Sequence, residues 1–338
     1  MKAGVYYGPL DIRCVDIEKP KIGFREILVE MRACGICGSD LMDWYLKPRA
    51  PIVLGHEPTG VIVEADSSIE EFNIGDRVFI HHHVACMKCY YCINGDYTLC
   101  SKFRETHIVP GGFAEYFKVP EANLIDTLKL PDNVSFEEGA LIEPLACCIR
   151  AVRKVNIKHY SNAAVIGLGP TGLMIIQLLK NYGVLKVLAC DLVDYRVREA
   201  KRFGADIAVS PEEFKDTIRS ETSIGVDVVF VTAPSIEAYS LGIDTCRSGG
   251  ILCIFAPPPP REMLQLDLNR LFFSEVKIIP SYSTSHIETR IALSLIEKGK
   301  VNVKDLITHR FTLEEIAEAY KVAARSKNCL KVVVTNSK

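Results

Sequence analysis

Cys86, Cys89, Cys92 and Cys100 stand in the order C-x2-C-x2-C-x7-C, in a loop rich in Tyr, Gly and Asn. Four thiolates on one short loop can close a tetrahedral shell around Zn2+, and a closed shell leaves no position for a substrate, so such a site is structural. An iron–sulfur cluster or four unliganded thiols are the alternatives. A second set is scattered: Cys37 in ACGICGSD, His56 and Glu57 in GHEPTG, and Glu143 in LIEPLAC. A soft sulfur, an imidazole and a carboxylate from separate loops suit a catalytic zinc that keeps one position open. Taken singly, each has a plainer reading as a core cysteine, a satisfied loop histidine or a solvated carboxylate. The third set is Gly167, Gly169 and Gly172 in AVIGLGPTGLM, with Pro170 and Thr171 between them. A G-x-G-x-x-G that follows a strand pattern and opens a helix pattern is a dinucleotide turn: the first glycine makes the turn, the second admits a pyrophosphate, and the third lets helix pack on strand. Asp191 ends the next apolar run, VLACD, 19 residues after Gly172. A carboxylate there binds both hydroxyls of an adenosine ribose and repels a 2′-phosphate, a preference that Arg196 and Arg198 could soften.

These residues need elements to hold them. Up to about residue 150 the chain reads as short alternating runs such as EILVEMRACG, PTGVIVEAD and GGFAEYFKVP, separated by Gly, Pro and Asp, which predicts a β-rich domain. From Asn162 apolar runs of four to six residues (AAVIG, VLACD, VDVVFV, GGILCIF) alternate with helical stretches, which predicts βαβ units on a parallel sheet. After APPPP, a strand-like EVKIIPSYS, a helical IETRIALSLIEKG, a segment ITHRFTLEEIAEAYKVAAR and a last strand, LKVVVT, complete the pattern. Tyr160 to Leu179 carries no charge and is long enough to cross a bilayer, but its glycines and Pro170 divide it into strand, turn and helix start.

The 338 residues suffice for two domains, and 48% hydrophobic with 24% charged residues excludes a disordered chain. Forty Lys plus Arg against 42 Asp plus Glu leaves −2, so no whole-chain field draws nucleic acid or an acidic membrane. Thirteen cysteines behind a start with no secretory pattern point to a reducing cytoplasm, where clustered thiols hold metal more often than they form disulfides. Most of the cysteines outside the two metal sets read as small core residues. Of His81, His82 and His83, the pattern predicts one inward and two exposed imidazoles.

The order CGICGSD, GHEPTG, GDRV, four-cysteine lobe, GGFAEY, EEGALIEPLAC and glycine turn resembles the zinc-dependent medium-chain dehydrogenases, in the branch of sorbitol (polyol) and L-threonine dehydrogenases. The resemblance covers essentially the whole chain. It implies an α/β architecture with a GroES-like β-rich catalytic domain and a doubly wound parallel-sheet Rossmann domain. Residues 1–150 would be catalytic, with the structural-zinc lobe at about 84–103. Residues 151–284 would bind NAD, and 285–338 would return to the catalytic domain. By position, Cys37 and His56 ligate the catalytic zinc, Glu143 is the third ligand directly or through water, and Glu57 is an exchangeable or supporting carboxylate. Ser39 matches the hydroxyl that contacts the alcohol and passes its proton onward. Where relatives commonly carry a relay histidine, this chain has Met42, so the relay ends at water, Asp43 or Glu57. Ser281 precedes Tyr282 where sorbitol dehydrogenases tend to carry Arg, and His83 matches a substrate-side histidine of threonine dehydrogenases. Asp43, Trp44, His83 and Tyr282 are therefore the substrate candidates. The implied activity is NAD-linked oxidation of a secondary hydroxyl of a polyol, sugar or cyclitol to a ketone, with two zinc ions per chain. A threonine-type amino-alcohol dehydrogenase is the alternative, and a noncatalytic zinc and NAD binder is the reading outside enzymology. The expected assembly is a homo-oligomer, a tetramer or dimer, with EVKIIPS near an interface.

Overall fold

A computed structural model describes residues 1–336. The chain divides into two compact units, Met1–Ala146 with the segment from Thr284 onward, and Cys147–Ser283. The first division falls inside the helix Ile142–Val155 rather than after residue 150.

The first unit is β-rich because its apolar residues alternate or run continuously over lengths a strand can bury. Strand Ile27–Gly35 is almost wholly buried and pairs antiparallel with Pro58–Ala65, Tyr116–Val119 and Lys331–Thr335. It is the middle of a seven-stranded sheet that also holds Arg77–Ile80, Thr127–Lys129 and Ile307–Thr312. The last strand to be read in the sequence, Lys331–Thr335, thus lies beside the strand that leads into Cys37, with Val333 opposite Gly35. A three-stranded sheet of Lys2–Gly8, Asp11–Asp16 and Ile52–Val53 adds Tyr6 to a core that includes Met31, Phe113, Phe117 and Tyr320, each fully buried. Side chains of this size contribute roughly 1.5 to 3 kcal/mol each when removed from water.

The second unit is a six-stranded, all-parallel sheet. Its strands are Asn162–Ile166, Lys186–Cys190, Ile207–Val209, Val226–Val231, Cys246–Ile254 and Lys277–Pro280, and in that numbering they lie in the order 3-2-1-4-5-6. The order reverses beside Asn162–Ile166, so ligands are expected outside the carboxyl end of that strand. The uncharged stretch Tyr160–Leu179 resolves into this strand, a turn and the helix Pro170–Tyr182, which starts on Pro170 and stops at a left-handed Gly183. No helix among the described residues is long and apolar enough to cross a membrane.

Candidate active site

The four-cysteine lobe has a small hydrophobic core of its own. Its short turns Tyr90–Ile93 and Tyr97–Leu99 surround a cluster of only four buried residues, Ala85, Cys92, Cys100 and Phe103. The donor atoms of Cys86, Cys89, Cys92 and Cys100 all lie within 4.8 Å of one another, with Sγ of Cys89 3.5 Å from that of Cys92. The Lys88 backbone N–H helps to pull Cys86 down to about 6, while burial and the neighbouring sulfurs push Cys92 up to about 12. Four thiolates cannot coexist at such separations without a cation, and the all-sulfur donor set fits zinc in a closed shell.

Cys37 caps a tight turn, Gly38–Leu41, directly after the central strand, and His56 with Glu57 precedes the neighbouring strand Pro58–Ala65. Adjacent strands therefore deliver three donors, whose ligand atoms lie within 4.8 Å of one another. Asp40, only 2% exposed, orients two of them: it accepts from the Cys37 N–H at 2.9 Å and lies 3.3 Å from His56 Nδ1. Its own backbone carbonyl accepts from the Tyr320 hydroxyl. An imidazole tied to a carboxylate through Nδ1 offers Nε2 to a metal. Burial works against the charged form of His56, yet Asp40 and Cys37 hold its affinity for a proton well above the ordinary value. Sequence reasoning passed over Asp40, although its position three residues after Cys37 in CGSD is the signal of a turn-capping carboxylate.

Glu57 is fully buried, and its carboxylate meets the Lys331 ammonium at 2.8 Å and 2.5 Å. Lys331 was also passed over, though a lysine opening the apolar run KVVVT is an anomaly visible in the sequence. Glu143 occupies the first turn of the helix Ile142–Val155 and is buried. It does not join the three clustered donors, but its charge is felt at Glu57, whose carboxyl is pushed up chiefly by burial and held down by Lys331 and His56.

In the second unit Gly167 adopts φ +93, where a Cβ would stand 2.8 Å from the Ala233 nitrogen. A Cβ on Gly172 would overlap the Gly167 carbonyl, whereas one on Gly169 would meet nothing within 4 Å. The turn is tight where helix meets strand and open at the helix start, as a pyrophosphate requires. Pro170 is the first helical residue and Thr171 follows, both half-buried. Asp191 accepts from the Leu168 N–H at 2.6 Å and the Val193 N–H at 2.9 Å, which fixes its carboxylate at the end of the second strand. Arg196 approaches it at 3.9 Å. This cradle fits a dinucleotide.

Residues 23–132 match the alcohol dehydrogenase GroES-like domain, and residues 170–298 match the zinc-binding dehydrogenase domain. The sorbitol dehydrogenase of Bacillus subtilis is 33% identical over 99% of this chain and 97% of that protein. The chain belongs to the zinc-dependent medium-chain dehydrogenases. The L-idonate 5-dehydrogenase of Vitis vinifera is 34% identical over 93% of this dehydrogenase and 89% of that protein. Among solved structures, a zinc-binding dehydrogenase of Sinorhizobium meliloti bound to NADP superposes with TM-score 0.88 at 28% identity, covering 99% of this chain and 98% of that one. The 2R,3R-butanediol dehydrogenase of Bacillus subtilis gives 0.87 at 28% identity, with 99% of each chain covered. This dehydrogenase is thus an oxidoreductase of a family that works with zinc and a nicotinamide dinucleotide.

The substrate candidates of this dehydrogenase are placed unevenly. The Asp43 carboxylate already accepts from the Tyr6 hydroxyl at 2.8 Å, so one of its oxygens is engaged within the protein. Trp44 stands edge-on to Tyr45 and is 40% exposed. Tyr282 is exposed and lies in the second unit. The histidine triplet departs from expectation: the strand ends at Ile80, and none of the three is exposed. His81 is fully buried against Asp126 at 2.7 Å, and Asn123 ties down the carbonyls of His81 and His82 at 3.0 Å. His83 is held by the Thr106 carbonyl at 2.6 Å. The imidazole that packs on the candidate ligand His56 is that of His82, with ring centres 4.9 Å apart. A turn, rather than a strand, sets these directions, and period-two reasoning could not find it. Ser39 lies half-buried in the turn between Cys37 and Asp40.

Proposed function

We propose that this dehydrogenase oxidises a secondary hydroxyl of a polyol, sugar or cyclitol to a ketone with NAD, at a site built on Cys37, His56 and Ser39. The carrying observation is the cluster of Cys37, His56 and Glu57 with Asp40 orienting the first two. When bound, zinc supplies Lewis acidity to the hydroxyl and the dinucleotide accepts the hydride. Cys37 and His56 would hold the metal, with Glu143 as the further donor. Ser39 Oγ receives the hydroxyl proton and passes its own onward. The backbone of Gly167 to Gly172 would cradle the pyrophosphate, and Asp191 would take the ribose hydroxyls, which favours NAD over NADP. Cys86, Cys89, Cys92 and Cys100 would hold the structural zinc. The relatives at 31 to 34% identity are named for sorbitol, idonate, xylulose and arabinitol, which supports a polyhydroxylated substrate. The thirteen cysteines suit a reducing cytoplasm.

A homo-oligomer, dimer or tetramer, is part of this reading. Strand Lys277–Pro280 is a sheet edge, and Leu268, Phe272 and Phe273 on the adjoining helix are each at least 75% exposed. Unpaired edges and apolar patches of this kind call for a partner surface.

The test is NADH formation with polyols, cyclitols, threonine and short secondary alcohols, with NAD or NADP, before and after chelation. A vicinal polyol is expected to exceed any monohydroxy alcohol in kcat/KM by at least about tenfold, since one buried polar group left unpaired costs ~1 to 3 kcal/mol. Threonine in front would transfer the function to amino alcohols.

A further inference from the structure

A buried ion pair lies beside the cluster of candidate metal ligands. Lys331 is 3% exposed, and its ammonium touches both oxygens of Glu57 and donates to the Ile36 carbonyl at 2.9 Å. The same carboxylate lies within 4.8 Å of the Cys37 and His56 donors. Gly35 completes the arrangement, because a Cβ there would overlap the Glu57 carboxylate and stand 2.8 Å from the Lys331 Cε. Strand register accounts for the placement: with Val333 opposite Gly35, Lys331 opens its strand next to Ile36 and Cys37.

Two cations therefore compete for one carboxylate. A carboxylate oxygen committed to an ammonium is a weak metal donor, and a fixed positive charge next to a dication site raises the free energy of the loaded state. We propose that Lys331 is a positioning residue that withholds Glu57 from the catalytic metal, leaving the metal bound less tightly and with one protein oxygen fewer than the residues nearby could supply. Gly35 provides the space in which Glu57 folds back onto Lys331. The inference rests on the reading of Cys37 and His56 as metal ligands.

The experiment measures Zn2+ retention against a competing chelator and the visible absorption of the Co2+-substituted protein. Lys331→Met keeps the length and apolar stem while removing the charge. It is expected to hold Zn2+ at least about tenfold more tightly and to shift the cobalt ligand-field bands as a carboxylate oxygen joins the shell. Lys331→Arg should restore wild-type affinity and bands. Adding Glu57→Gln to Lys331→Met should abolish the spectral shift, because the incoming oxygen is gone. Gly35→Ala pushes Glu57 out of its cradle and is expected to shift the bands in the direction of Lys331→Met, which gives a second route if the methionine variant does not fold. A general loss of packing would weaken metal binding, so tighter retention separates the proposal from a merely structural role. Unchanged or weaker Zn2+ binding in Lys331→Met, with wild-type bands, would overturn it. Cys37→Ser separates the two levels: if it removes none of the thiolate-to-cobalt absorption, the metal reading of this site fails as well, and if it does remove part, only the role of Lys331 is at stake.

Discussion

Asp40 shows how much one side chain can organise. It caps the turn that presents Cys37 and aligns His56, so Asp40→Asn should lower Zn2+ affinity at this site by about 10 to 100-fold without unfolding the chain, as measured by chelator competition alongside thermal melting. Cys37 and His56 could be named as candidates from the sequence because residue type alone marks them as possible metal donors, and the fold brings their donor atoms together. Asp40 and Lys331 could not, because their roles exist only once a turn and a strand register bring them to the site. His83 permits a pH prediction. Burial, partly offset by the Thr106 carbonyl, pulls it down to about 4 from an ordinary 6.5. A base whose folded value is depressed leaves the unfolded chain holding more protons between those limits, so stability present above 6.5 is lost as pH falls towards 4. The expected loss from pH 7 to pH 5 is about 2 kcal/mol. Urea unfolding at both pH values checks it: the His83→Gln variant should show a loss smaller by that amount, and an identical loss in variant and parent would remove His83 as the cause.

At the scale of elements, the lobe and the parallel sheet contrast. The lobe has four buried residues as its hydrophobic core, so on the proposed reading the metal held by its cysteines supplies the stability that burial does not. Cys89→Ser should therefore reduce bound zinc by one ion per chain and open the lobe to proteolysis around Tyr90 to Leu99, while Cys37→Ser removes an ion and leaves the lobe resistant. Elemental analysis with limited digestion distinguishes them. The sheet of the second unit needs no such brace: its strands were readable as continuous apolar runs, and the glycine turn with Pro170 marked where the first strand gives way to a helix. The histidine turn was not readable, because Asn123 and Asp126, which shape it, lie some 40 residues further along the chain.

For the whole molecule, the order of domains was legible from the switch between alternating and continuous apolar patterns near residue 160, whereas the exposed Phe272 and Phe273 became evident only with coordinates. Replacing both phenylalanines by Asp should shift the native mass towards the monomer in light scattering. An unchanged mass would overturn the reading of this patch as an oligomer contact. The return of the chain to its first sheet has a consequence in time as well as in space. Glu57 and Lys331 are 274 residues apart in sequence. During synthesis the parallel-sheet unit is contiguous and can fold as it emerges, but the carboxylate beside Cys37 waits for nearly the entire chain before its counter-charge arrives. A nascent chain thus passes through a stage in which Glu57 is unclaimed by lysine, and on the proposed reading metal would have first access to it, so the order in which ion and final strand arrive becomes a kinetic choice written into the topology.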